Sequence, residues 1–233
     1  MRRSLVSKVA MLGGGAIGLA TRSFRRTRRL TAGDIAMRRL TTYFIIPIWV
    51  GAAFIDYLWH RRTHIETTSG LEESMIHSLM MAEGLPVVLA ALFLEINAGV
   101  LAGIISLTVV HEATVLWDLW FTTPRRAIPA GEQVTHTFLE TPPFLVAAAA
   151  IATHWDDFQE LLGRRGERDF AIRWQSPPVP PSTILAVFGA LTLFGVLPHL
   201  DELRRCVDSR RQGLTGIDSP PCLAEVYDDA AAS

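Results

Sequence analysis

Residues 75–121 read MIHSLMMAEGLPVVLAALFLEINAGVLAGIISLTVVHEATVLWDLWF. Two apolar runs meet at Asn97-Ala98-Gly99, a triplet that supports only a tight turn. About 20 mostly apolar residues carry a helix across the hydrocarbon of a bilayer. Residues 75–96 and 99–121 are therefore expected to form an antiparallel pair of membrane helices. Outward from this pair, residues 41–59 (TTYFIIPIWVGAAFIDYLW) supply one further span and residues 132–155 another. A fifth run, residues 183–200, follows the proline-rich stretch SPPVPPS at 176–182. Tyr43, Tyr57, Trp59, Trp117, Trp120 and Trp155 mark the ends of these runs, where an interfacial aromatic belt belongs.

The expected fold is an all-α polytopic membrane bundle of four core spans plus a fifth, C-terminal span. A basic arm (1–40) precedes the core (41–155). A surface helix and proline-rich linker (156–182) lead to the fifth span (183–200) and a polar tail (201–233), which is expected to be disordered after Arg211. Composition agrees: 49% of the 233 residues are hydrophobic and 19% charged, against about 25% charged in soluble domains. A soluble bundle built on so many apolar runs would lack the polar surface to cover them. The two cysteines, Cys206 and Cys222, make neither a metal-type pair nor a disulfide framework.

Basic residues set orientation. The arm holds ten of the 22 and the linker after the fourth span four, while the outer loops and tail share eight. The side richer in arginine and lysine faces the cytoplasm, so the N-terminus is expected there. The arm reads as a basic segment lying on an anionic surface; a twin-arginine or secretory signal is the alternative. The bilayer itself is the expected partner, no nucleic acid is expected, and the sequence does not specify an oligomeric state.

Ionisable residues inside membrane segments are costly and mark function by default. Here they repeat a spacing: Asp56-x3-His60-x3-His64, Glu73-x3-His77, and Glu132-x3-His136-x3-Glu140, with His111-Glu112 and Asp118 on the third run. Residues four apart share a helix face. With spans running alternately up and down, all these positions fall at one membrane face, whichever way the chain inserts. Five of the seven histidines lie in the set, and His154 and His199 fall outside it.

Imidazole and carboxylate without thiolate suit iron, zinc or manganese. The expected ligands are His60, His64, Glu73, His77, His111, Asp118, Glu132 and His136. Soluble diiron bundles use Glu-x-x-His and membrane desaturases use His-x-x-His-His boxes; neither pattern is the one found here. Asp56-Tyr57-x-x-His60, Gly70-Leu71-x-Glu73-Ser74-x-x-His77, His111-Glu112-Ala113 and Glu132-Gln133-x-x-His136 resemble a group of small bacterial multi-span membrane proteins of unassigned activity. That resemblance covers about a third of the chain. It implies bacterial origin, and with it a bacterial inner membrane, and four core helices, and brings no reaction with it.

The leading functional expectation is a membrane oxidoreductase with a mono- or dinuclear site, iron ranking ahead of zinc or manganese, acting on a lipid or quinone-like substrate. Arg61, Arg62, Arg125 and Arg126 are expected at its mouth to hold an anionic headgroup. A zinc-dependent lipid hydrolase is the alternative, with Glu112 or Glu140 as the catalytic carboxylate that takes a proton from water. A haem-binding electron carrier, which explains the histidines but not the carboxylates, ranks lower. A metal or proton transporter and an assembly subunit complete the alternatives. Headgroup-level ion pairs and internal helix–helix locks are the non-functional readings of the same residues.

Overall fold

The structure is a computed structural model and describes residues 31–216. Most of the basic arm, the end of the tail and Cys222 lie outside the described residues, as do the readings placed on them. Among the described residues every regular element is helical; Leu94 and Trp174 form an isolated bridge. The order is α1 (Ala32–Leu40), α2 (Ile46–Arg62), α3 (Gly70–Phe93), α4 (Ala98–Thr122), α5 (Ala130–Thr153), α6 (Trp155–Leu161), α7 (Pro181–Leu191) and α8 (Leu197–Arg211). α1 runs into α2 through a π-helical turn, Thr41–Ile45, and α7 into α8 through another, Thr192–Val196. Both turns immediately precede a proline-bearing first turn, at Pro47 and Pro198. A proline ring clashes with the carbonyl four residues back, and a widened turn relieves the clash without ending the helix.

Four helices are long and apolar enough to cross a membrane: Ile35–Arg62, Gly70–Phe93, Ala98–Thr122 and Pro181–Arg211. Their apolar side chains point outward, with Leu185 73% and Val109 64% exposed, whereas a soluble bundle would bury them. The first span begins in residues expected to belong to the arm. The last extends eleven residues past the expected end of the apolar run, from 200 to Arg211. α5 has 24 residues but carries Glu132, Gln133, His136 and Glu140 and is not among these four. Length and apolarity thus mark four candidate spans among the described residues, not five.

α3 and α4 form the expected hairpin. Asn97 caps α4, its Oδ1 accepting from the Val100 N–H at 3.0 Å. The linker folds onto this turn: Glu95 N–H donates to the Arg173 carbonyl, Gly99 N–H to that of Asp169 and Asn97 Nδ2 to that of Ala171. A Cβ on Gly99 would lie 2.8 Å from the Phe170 Cα, so the close approach depends on glycine there. At the opposite end of the bundle, Gly131 does the same for α5 and α2, because its Cβ would fall 2.2 Å from the Trp59 ring. That contact brings Glu132 beside His60. α5 therefore runs the length of the bundle, from the end holding His60 to the end covered by the linker. Pro142 and Pro143 leave it a single helix.

Candidate metal centre

Helical stacking assembles the cluster. Asp56 and His60 lie one turn apart on α2, Glu73 and His77 on α3, and Glu132 and His136 on α5; each pair is in contact. α4 contributes Asp118 and α8 contributes Glu202. Imidazole Nε2 of His60 lies 3.4 Å from Asp56 Oδ2 and 3.6 Å from Glu132 Oε1. Nε2 of His136 lies 3.1 Å from Asp56 Oδ1 and 3.9 Å from Glu132 Oε1. A second group stands next to the first: His77 Nε2 is 3.6 Å from Asp118 Oδ2 and 3.9 Å from Glu73 Oε1. The His60 and His77 rings stack with centroids 4.9 Å apart.

Glu202 joins the two groups from behind. Its Oε2 is 2.7 Å from His60 Nδ1 and its Oε1 3.4 Å from His77 Nδ1. An ionised carboxylate can only accept, so each ring turns an Nδ1–H toward Glu202, and both Nε2 atoms face the other carboxylates. This is the carboxylate–histidine arrangement that orients metal-ligating imidazoles. His199, one turn before Glu202, lies 2.7 Å from Ser78 Oγ.

Arg126 stands between the two groups. Its Nη2 reaches Glu73 Oε1 at 2.7 Å and Glu132 Oε1 at 2.6 Å, and its Nε lies 3.2 Å from both Glu73 oxygens. Burial works against its charge, but Glu73 and Glu132 outweigh that and push its pKa above the ordinary arginine value. Arg126 thus stays a cation inside the site.

Several of these buried groups lack hydrogen bonds. His60 Nε2, Asp118 Oδ1 and Glu132 Oε2 have none, whereas Glu132 Oε1 is met by Arg126 at 2.6 Å and Asp56 Oδ1 by His136 Nε2 at 3.1 Å. Buried polar atoms are normally satisfied. Atoms each about 2.0–2.1 Å from a common ion lie roughly 2.9–4.1 Å from one another in tetrahedral or octahedral geometry. The 3.1–3.9 Å separations around Asp56, His60, Glu132 and His136 fall in that range. The donor set therefore fits a transition-metal ion.

Of the expected ligands, the structure brings His60, Glu73, His77, Asp118, Glu132 and His136 together, and places His64 and His111 elsewhere. α2 ends at Arg62, and His64 adopts a left-handed conformation with φ 50° in the following turn. Its exposed ring faces Glu66 at 3.7 Å. Helical stacking on His60 does not extend past the end of the helix. His111 is seven residues before Asp118, about 10 Å along α4. It pairs instead with Glu83 at 3.3 Å, and Thr114 Oγ1 donates to the same carboxylate at 2.7 Å. This pair borders a small apolar cavity of about 40 Å³ walled by Trp49, Val87, Leu107 and Pro143. Glu112 and Glu140 lie outside the cluster; Glu112 Oε1 is buried without a hydrogen bond.

The arginines expected at the mouth divide. Arg126 is not at the mouth but inside the site. Arg61 lies 3.8 Å from Asp201, Arg62 over the Trp59 ring and Arg125 over the Phe121 ring. Asp56, Glu202 and His199 join the site without having been among the expected ligands. Glu202 had one readable signal: Pro198, Glu202, Cys206 and Ser209, all buried, follow each other at helical spacing. Comparison with protein-family models, curated proteins and solved structures gives no match.

Proposed function

We propose that the protein is an integral membrane metalloprotein in which Asp56, His60, Glu132 and His136 hold a transition-metal ion, and that it is an oxidoreductase acting on a lipid or quinone-like substrate. The observation carrying this reading is a set of four donors, His60 and Glu132 buried and Asp56 and His136 half-buried, whose ligand atoms lie within 4.8 Å of one another with unsatisfied atoms among them. Two imidazoles with two carboxylates suit iron, with manganese and zinc behind it. Such an ion supplies redox or Lewis-acid chemistry when bound. The residues around it orient the ligands, exclude water and hold protons: Glu202 keeps Nδ1 protonated, and Arg126 restrains Glu132.

The zinc-hydrolase alternative needs a proton-accepting carboxylate beside the ion, and neither Glu112 nor Glu140 is within the ligand group. A haem reading is weaker still, because the facing His60 and His77 rings leave no room for a macrocycle between them. The proposal includes a fifth crossing by α5, which spans the bundle from end to end, and a bacterial inner membrane with the cluster facing away from the cytoplasm.

The test is metal analysis of the full chain purified in detergent from cells supplied with iron, zinc and manganese, with its absorption spectrum. The expected result is bound iron with near-ultraviolet absorption, reduced in Asp56→Asn/His136→Ala. Stoichiometric zinc in a colourless protein favours the hydrolase, a Soret band favours haem, and absence of any bound metal overturns the proposal.

A further inference from the structure

We infer that Glu73, His77 and Asp118 hold a second transition-metal ion, so that the protein carries a pair of ions side by side. This rests on the metal-centre reading above and extends it. The three residues offer ligand atoms all within 4.8 Å of one another. Asp118, only 7% exposed, keeps Oδ1 without a hydrogen bond. Beside the group, Ser74 Oγ and Thr122 Oγ1 are also buried and unpartnered. Three neighbouring unsatisfied oxygens on two facing helices are unexpected in a merely structural lock.

Charge points the same way. The site gathers five carboxylates, Asp56, Glu73, Asp118, Glu132 and Glu202, against one guanidinium, an excess of four negative charges that bound cations or protons on His60, His77 and His136 must offset. Uncompensated buried charge is strongly disfavoured. Two divalent ions would supply the whole of this charge when the imidazoles give up their protons to become ligands. The two groups are also built alike: each has an Nε2 aimed at carboxylates and an Nδ1 held by the same Glu202. Arg126 takes one carboxylate from each group, Glu73 and Glu132. A carboxylate has about four lone-pair sites, so Glu73 can serve Arg126 and an ion together. Glu202 behind and Arg126 in front thus tie the two groups into one centre.

The test is a titration of metal-depleted, detergent-purified full chain with Mn²⁺ alone, reading the free ion by electron paramagnetic resonance. The wild type should bind two ions per chain. His77→Ala/Asp118→Asn should bind one, and Asp56→Asn/His136→Ala should also bind one. A wild-type count of one overturns the second ion and leaves the first proposal standing. A count of none overturns both. Helical content by circular dichroism checks each variant, and if a double variant does not fold, the wild-type count decides.

Discussion

Glu202 Oε2 lies 2.7 Å from Nδ1 of His60, so a residue near the end of the described chain fixes the ring of one 142 positions earlier. The other oxygen of the same carboxylate faces Nδ1 of His77. The C-terminal helix is therefore part of the site and not an appendage to a four-helix core. It is held there by further contacts: Tyr57 OH donates to Asp201 at 2.8 Å, and Arg205 pairs with Glu66.

If Glu202 orients both ligand rings, Glu202→Gln should weaken metal binding with little change in fold. The amide keeps the shape but presents an N–H₂ group to one of the two Nδ1–H donors. Loss of such an outer partner typically costs about 10–100-fold in metal affinity. Mn²⁺ titration of the variant measures the change, and an unaltered affinity would show that Glu202 only packs.

Arg126 makes the opposite prediction, on stability. Arg126→Met leaves Glu73 and Glu132 buried and facing each other without a cation. Breaking a buried pair from one side costs about 3–5 kcal/mol, to be read as a lowered thermal midpoint of the metal-free protein in detergent. Saturating Mn²⁺ should restore part of the loss, since the ion replaces the missing charge. The folded-state pKa of Arg126 is raised, so its stabilising contribution is present below the unfolded value and lost only above the folded one. No decline from this residue is expected through neutral and moderately alkaline pH. Metal binding, by contrast, should weaken on acidification, because ligating imidazoles must lose their protons.

The fold was largely legible because membrane helices announce themselves by length and apolarity, and Asn97–Gly99 fits only a turn. The site was legible where spacing and helix agree: Asp56 with His60, Glu73 with His77, Glu132 with His136. It failed where spacing outran the helix. His64 sits four residues from His60, but α2 has ended by then. His111 is on the right helix but two turns too deep. Arg126 reads as a loop cation, and only tertiary packing turns it inward. Glu202 was hidden by treating residues 201–233 as a tail, and His199 by leaving the end of the fifth run, residues 183–200, out of the set. A fifth segment starting on the linker's side must end on the cluster's side, and it delivers both residues there.

His111 supplies the sharpest contrast between spacing and structure. Spacing alone makes it the deepest ligand, whose removal should abolish bound metal. Its actual partner is Glu83, so His111→Ala should leave the number of bound Mn²⁺ ions unchanged. The cost should fall on stability instead, about 1–3 kcal/mol for a buried carboxylate deprived of one partner. Thr114 continues to satisfy the other oxygen. Metal loss in His111→Ala with the fold intact would place His111 in the centre after all.

The last prediction concerns α5, whose polar face keeps it outside the helices that length and apolarity mark as spans. Thr123 lies just before α5 on the cluster's side, and Arg164 just after it, beyond α6; both are exposed. Gln212, exposed at the end of α8, returns to the cluster's side. Single-cysteine variants at these three positions, in a background with Cys206 and Cys222 replaced by serine, can be labelled in intact cells with a membrane-impermeant thiol reagent. Thr123→Cys and Gln212→Cys should label, and Arg164→Cys should be protected until the membrane is permeabilised. The reverse pattern would keep the fifth crossing but invert the orientation expected from the arginine count. Equal labelling of Thr123→Cys and Arg164→Cys would mean that α5 does not cross. The polar face carrying Glu132 and His136 would then have to be reached from water, not from within the bilayer.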